Sequence, residues 1–457
     1  MASLDRSSPP GPGEIGPFEF PEVHRQTLPN GLRVLAVETG ALPLVTVRTV
    51  TRAGGAAEQA AGAGVAALTA ELLESGAGRL SAAEIAETFE SLGVDAETGA
   101  GWDAAHAGLT ALTGRLDAAW DLLAELVQNP TFPADEVERL RDERLSEIVQ
   151  RRSLPGSLAD EVIARAIFGV KQRFGVPLGG VPSTVAKIDR KEIVDFHTSR
   201  YASNTAAVIV AGNLPAAAAF EGAQRRYGGW AASTGGGNAA SPRSSPGGGR
   251  VLLVDRPGAV QSEIRIGHLG VQRLVDDYFP IVVMNTVLGG SFSSRLNLNL
   301  REVHGYTYGV SSGFGMRREA GPFLIATATE TDVTVSAITE ILKEVEHLRQ
   351  GGVSSEELES ASGYLAGVFP LRLQTTAGVA AHLAELEIYG LPDDHFDRYR
   401  ERVLAVTAEE VLLAARTRLD PASLNVVVVG DAERLREPLG ALGLGPVEPV
   451  DVSMEGG

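Results

Sequence analysis

Two residues seven positions apart, Arg301 and Tyr308, are the strongest chemical signal in this chain. They lie in LREVHGYTYGVSS (300–312), just after the glycine-rich run LGGSFSSRL (288–296). An arginine on the end of a helix and a tyrosine at the start of the next strand can point into one pocket. The guanidinium offers a fixed cationic fork and the phenol a donor. Together they can hold a peptide carbonyl and stabilise negative charge developing on it. The competing reading is structural: Arg301 bridges Glu302 or a helix end, and Tyr308 packs in the sheet.

Composition limits the alternatives. The 457 residues suffice for two or more domains with sizeable cores. A net charge of −18 argues against nucleic acid or an anionic membrane as the main partner. With no cysteine in the chain, disulfides, thiolate zinc sites, iron–sulfur clusters and cysteine nucleophiles are excluded. No apolar run is long enough to span a membrane. The polar, proline-rich N-terminus lacks the pattern of a secretory signal. Cytoplasm is therefore the expected compartment, or periplasm if a leader has been removed.

The elements that must position the pair fall into two similar halves. Residues 231–249, AASTGGGNAASPRSSPGGG, have linker composition. On either side, IDRKEIVDFHTSRYASNTAAVIVAGN and VTAEEVLLAARTRLDPASLNVVVVGD align at a constant offset of 218, Ile188 with Val406 and Gly212 with Gly430. Each reads as an amphipathic helix, a turn and a β-branched strand ending at glycine. The opening strands RVLAV (33–37) and RVLLV (250–254) also match. This predicts two domains of one fold: a flexible segment 1–22, a domain over 23–230, the linker 231–249 and a domain over 250–450. Helical patterns at 63–75, 82–93, 114–130 and 134–153 alternate with strand-like runs. The fold class expected is α+β, each domain a mostly antiparallel sheet with helices packed on one face.

The chain resembles the insulinase/pitrilysin family of zinc peptidases. In the first half the resemblance is carried by LPNGLRVLAVETGALPLVTVRTVTRAG and by Phe196, His197, Tyr201, Asn204 and Gly212. In the second half it is carried by RPGAVQSEIRIG, LGGSFSSRLNLNLRE…GYTY and LAELEIYGLPDDHFDRYRERVLAVTAEEV. The order and spacing of these segments over some 400 residues make it specific. It implies a zinc motif, H-x-x-E-H, on the first long helix. In that motif two His ligands and a Glu base share one helix face. Here Ala67 stands at the first His position, Ala70 at the Glu position and Glu71 at the second His position. None of the eight histidines lies four residues from another, and His382-Leu-Ala-Glu385 is half a motif. The family's third ligand corresponds to Glu147, which reads more simply as a solvated helix residue.

The resemblance assigns oxyanion and substrate-carbonyl contacts to Tyr308 and Arg301; Tyr306, five residues from Arg301, has the wrong spacing. Residues 94–112 match the family's strand that accepts extended peptide at a sheet edge, with Asp95, Ala96, Glu97 and Thr98 as substrate-binding positions. The expectation is a subunit that binds no cofactor itself. It pairs with a homologous chain holding Zn²⁺ and acts on peptide or unfolded polypeptide. The rival expectation is a catalytically inert scaffold subunit of a larger complex. A stand-alone zinc peptidase with a displaced site is disfavoured by the histidine census.

Overall fold

The structure, a computed structural model, describes residues 13, 16–40, 42–233 and 249–451. Residues 234–248 of the expected linker, and most of the segment before residue 16, lie outside the described residues.

The first half contributes strands β1 (His24–Thr27), β2 (Arg33–Glu38), β3 (Leu44–Thr51), β4 (Gly76–Ala77), β5 (Leu80–Ser81), β6 (Asp95–Ala100), β7 (Ala105–Leu112) and β8 (Ala206–Gly212). Its helices are α1 (Val65–Glu71), α2 (Ala82–Leu92), α3 (Leu116–Gln128), α4 (Ala134–Ser153), α5 (Pro155–Phe168), α6 (Pro182–Val185), α7 (Arg190–Arg200) and α8 (Ala216–Tyr227). The second half contributes β9 (Val251–Asp255), β10 (Gln261–Leu269), β11 (Val310–Phe314), β12 (Pro322–Glu330), β13 (Asn425–Gly430) and β14 (Val447–Pro449). Its helices are α9 (Tyr278–Asn285), α10 (Arg295–Asn297), α11 (Thr334–Gly351), α12 (Ser355–Val368), α13 (Thr376–Tyr389), α14 (Tyr399–Leu404), α15 (Ala408–Arg418) and α16 (Ala432–Gly440).

Two mixed, mainly antiparallel sheets result. The first runs β1-β2-β8-β3-β7-β6 and the second β11-β12-β10-β13-β9-β14. Read from the corresponding ends, β2-β8-β3-β7-β6 repeats as β9-β13-β10-β12-β11. The one parallel pair of the first sheet, β2 with β8, has its counterpart in β9 with β13. The repeat in the sequence is therefore a repeat of topology, and α7 maps onto α15 at the same offset of 218.

Helices cover both faces of each sheet, and one of those helices comes from the other half. Val34 and Ala36 of β2, with Val208 and Val210 of β8, pack into the first half's own helices. The alternate residues Leu35, Val37, Ile209 and Ala211 face the opposite way. There α13, from the second half, lies on β3 and β8. Reciprocally, α5 of the first half lies on β10 and β13. Its Leu158, Val162 and Ile163 share a core with Leu252, Val254, Val427 and Val429. This double coverage is why β8 and the Val426–Val429 run of β13 are apolar at every position instead of alternating.

Polar pairs fix the exchange. Thr46 Oγ1 lies 2.7 Å from Thr376 Oγ1, Asp160 on α5 pairs with Arg265 at 2.6 Å, and Arg33 pairs with Glu387 on α13. The reading of helices on one face is thus completed by one exchanged helix on the other.

Candidate functional site

Arg301 lies in a wide helical turn, Leu298–Val303, one of two π-helical segments bracketing the glycine–serine loop. Such widened turns re-aim side chains. The chain then reverses at Gly305, whose φ of +66° only glycine adopts cheaply. Tyr306 N–H donates to Leu300 O at 2.8 Å, and its ring stacks on His304 at 4.8 Å. Thr307 Oγ1 accepts from Gly309 N–H at 3.1 Å and lies 3.0 Å from Thr327 Oγ1.

With Tyr306 and Thr307 tied down, Tyr308 is thrown outward and is 95% exposed. It precedes β11 by two residues and is not packed in the sheet. The Arg301 guanidinium lies over the Phe292 ring at 4.4 Å and pairs with Glu302 at 3.5 Å. The Glu302 bridge expected of a structural role is thus present, but in solvent, where it is worth little. No hydrogen bond, ion pair or ring contact joins Arg301 to Tyr308 among the described residues.

The frame that places the two is a buried asparagine that no motif or spacing announces. Asn297 Nδ2 lies within 3.2 Å of Ser291 O, Ser294 Oγ and Val310 O. Its Oδ1 accepts from Val310 N–H at 3.2 Å. One side chain thus couples the loop, the helical turn and β11. Asn285 adds a second tie, its Nδ2 donating to Ser312 O at 3.0 Å. These bonds occupy main-chain groups of β11, an edge strand of its sheet, against further pairing. The only signal in the sequence is two asparagines inside apolar helical patterns.

The other edge is different. β6, carrying Asp95, Ala96, Glu97 and Thr98, ends the first sheet beside α1. The 94–112 run, expected as one strand, is two: β6 and β7 form a hairpin, with Gly101 N–H donating to Ala104 O at 2.8 Å across the turn. Among the described residues, no hydrogen bond from another element caps the outer main chain of β6. Glu97 pairs across the sheet with Arg48.

The positions expected to bind metal lie at α1. Ala67 and Ala70 are buried, at 6% and 0% exposure. Neither offers a ligand atom. Glu71 and Glu147 do approach one another, but through a cation of the protein itself. The Arg144 guanidinium hydrogen-bonds Glu71 and pairs with Glu147 at 3.3 Å. Burial opposes its charge, yet the bond to Glu71 and the attraction of both carboxylates hold its pKa above the ordinary value. Among the described residues no three His, Cys, Asp or Glu side chains form a group that could hold a metal. The donor set around Glu71 does not fit zinc: one carboxylate is engaged by a guanidinium and two neighbours are alanine.

Arg144→Leu is expected to destabilise the fold by about 1 kcal/mol, a small figure because both carboxylates are more than a third exposed. Adding Glu71→Gln should recover part of it. Urea denaturation of the two variants checks this.

The N-terminus of α1 is held by a buried ion pair. Glu58 Oε2 accepts from Arg173 Nε at 2.6 Å, with side-chain exposures of 0% and 6%. The Glu58 carboxylate also accepts from the amides of Gly64, at 3.3 Å, and Ala66. Arg173 donates onward to Val176 O at 2.8 Å and Leu178 O at 2.9 Å. Burial pushes the Glu58 carboxyl up against the pull of Arg173.

In the second half, His395 is buried, and desolvation, then the charges of Arg273 and Arg402, push its pKa down to about 4, against the pull of Asp394. A depressed histidine stabilises the fold fully above its unfolded pKa. That contribution is lost as pH falls from the unfolded value of about 6.5 toward 4. A shift of this size corresponds to about 3 kcal/mol. Stability measured between pH 7 and pH 4 should therefore fall more steeply in the wild type than in His395→Gln.

Two family models match the chain: Insulinase (Peptidase family M16) over residues 33–174, and the Peptidase M16 inactive domain over 187–363. An uncharacterized zinc protease of Mycobacterium tuberculosis is 27% identical over 398 residues, covering 86% of this chain and 90% of that one. A solved peptidase M16 inactive domain from Pseudomonas fluorescens superposes with a TM-score of 0.82 at 27% identity, covering 90% of this chain and 98% of that one. A protease from Helicobacter pylori shares the fold, with a TM-score of 0.83 at 18% identity over 90% of this chain and all of that one. Two repeated sheets, the glycine–serine loop before Arg301 and these matches agree: the chain belongs to the insulinase family of peptidases, M16.

Proposed function

We propose that this chain is the non-zinc subunit of a heterodimeric zinc metallopeptidase. A homologous partner would carry the H-x-x-E-H helix and its Zn²⁺. This chain would supply Arg301 and Tyr308 to substrate held at that metal, with Arg301 fixing a peptide carbonyl and Tyr308 donating to the oxyanion. The observation that carries the reading is an asymmetry within one chain. Tyr308 is presented to solvent by a loop tied down on either side of it, while the metal positions hold two buried alanines and a glutamate bound by Arg144. The uncapped edge of β6, at Asp95 to Thr98, supports an extended peptide as substrate.

The test is reconstitution with the homologous chain bearing an intact motif. Peptide cleavage is expected from the mixture and from neither chain alone. Full activity of the partner by itself, unchanged by this chain, would leave the inert scaffold reading in its place.

A further inference from the structure

A second chemical site lies in the second half, on a set of charged residues that does not include Arg301 or Tyr308. A cavity of about 360 Å³ is lined by residues that include Arg273, Tyr278, Asn285, Phe314, Glu385 and Tyr389. Arg273 follows β10 and is 6% exposed. Its guanidinium stacks on Tyr278, 3.8 Å from the ring centroid, and lies 6.0 Å from that of Tyr389. Its one side-chain hydrogen-bond partner among the described residues is His395 Nε2, at 3.1 Å. An imidazole that accepts from a guanidinium is neutral there, so it satisfies a donor without cancelling charge.

No carboxylate lies within ion-pairing distance of Arg273 among the described residues. A buried, unneutralised arginine is costly and rarely without purpose. Arg372 adds further positive charge close to Tyr278. Glu385, on α13, lines the same cavity, is half-buried and forms no ion pair among the described residues. One unpaired cation and one unpaired anion thus share a space large enough for a single amino-acid residue with its side chain.

We propose that this cavity binds a ligand carrying both a carboxylate, held by Arg273, and a cationic group, held by Glu385. Free basic amino acids and the C-terminal Lys or Arg of a peptide share that chemistry. The Tyr389 hydroxyl supplies a neutral polar group for the atoms between the charges, and Tyr278 holds the guanidinium plane in place. Binding at this cavity requires neither a partner chain nor peptide cleavage.

Calorimetric titration of the full chain tests it with N-acetyl-L-arginine, its C-terminal amide and N-acetyl-L-leucine. The acid is expected to bind about tenfold more tightly than either, the factor that one charged contact of about 1.4 kcal/mol commands. Equal binding of acid and amide, or no binding of the acid, overturns the proposal. Glu385→Gln should erase the preference for arginine over leucine; a preference left unchanged removes Glu385 from the site. Arg273→Gln should erase the preference for acid over amide. If that variant fails to fold, the comparison of acid with amide on the wild type still decides. N-acetyl-alanyl-arginine separates the two sources. Tighter binding than N-acetyl-arginine assigns the site to peptide ends and equal binding assigns it to single residues, either result supporting the carboxylate-and-cation site.

Discussion

Tyr308→Phe is expected to lower turnover by the assembled peptidase by about 10²–10³-fold, the usual cost of one oxyanion donor. Assembly and stability should not change, because the side chain is 95% exposed and makes no contact that the fold needs. The measurement is kcat of the purified complex, with co-elution of the two chains as the control. An unchanged kcat removes Tyr308 from the mechanism. Arg301→Lys is a companion variant: it keeps the charge but loses the planar fork, so it should raise KM more than Tyr308→Phe does.

The second large effect concerns the fold. Glu58→Gln leaves the Arg173 guanidinium buried beside a neutral amide and removes a charged acceptor from the N-terminus of α1. Breaking one side of a buried pair typically costs about 3–5 kcal/mol. Removing both charges, with Glu58→Gln and Arg173→Met together, should cost less than Arg173→Met alone, which strands the carboxylate. Chemical denaturation of the two single variants and the double variant checks the cycle. A double variant whose loss equals the sum of the singles would show that the pair does not act as one unit.

The amino-acid sequence discloses what repeats or follows a local rule. The alignment of Ile188 with Val406 locates α7, α15, β8 and β13 correctly, because an amphipathic helix leading into a β-branched strand is a local pattern. The helix over 134–153 is legible for the same reason. Sheet membership is not. The residues of α5 and α13 show an apolar face, but nothing local says that the face belongs on the other half's sheet. The hairpin turn between β6 and β7 is hidden because Asp95 to Leu112 carries β-compatible residues on both sides of a short glycine-flanked break.

Within the site, Arg301, Tyr308 and the substituted positions Ala67, Ala70 and Glu71 are visible as residue types at fixed spacings. Arg144 is not, since a cation one turn from Glu147 on a charged helix looks like any solvated pair. Its contact with Glu71 spans 73 residues, and that of Glu58 with Arg173 spans 115. Such pairings exist only once the helices pack. Asn297 is hidden for a related reason: a buried amide that organises three segments has the same signature as an exposed one.

The most direct measurement is the metal content of each chain after the assembled complex is separated into its subunits. About one zinc per partner chain is expected, and none retained by this one, in which Arg144 stands between Glu71 and Glu147. Stoichiometric zinc travelling with this chain, and released by Glu71→Gln, would contradict this expectation.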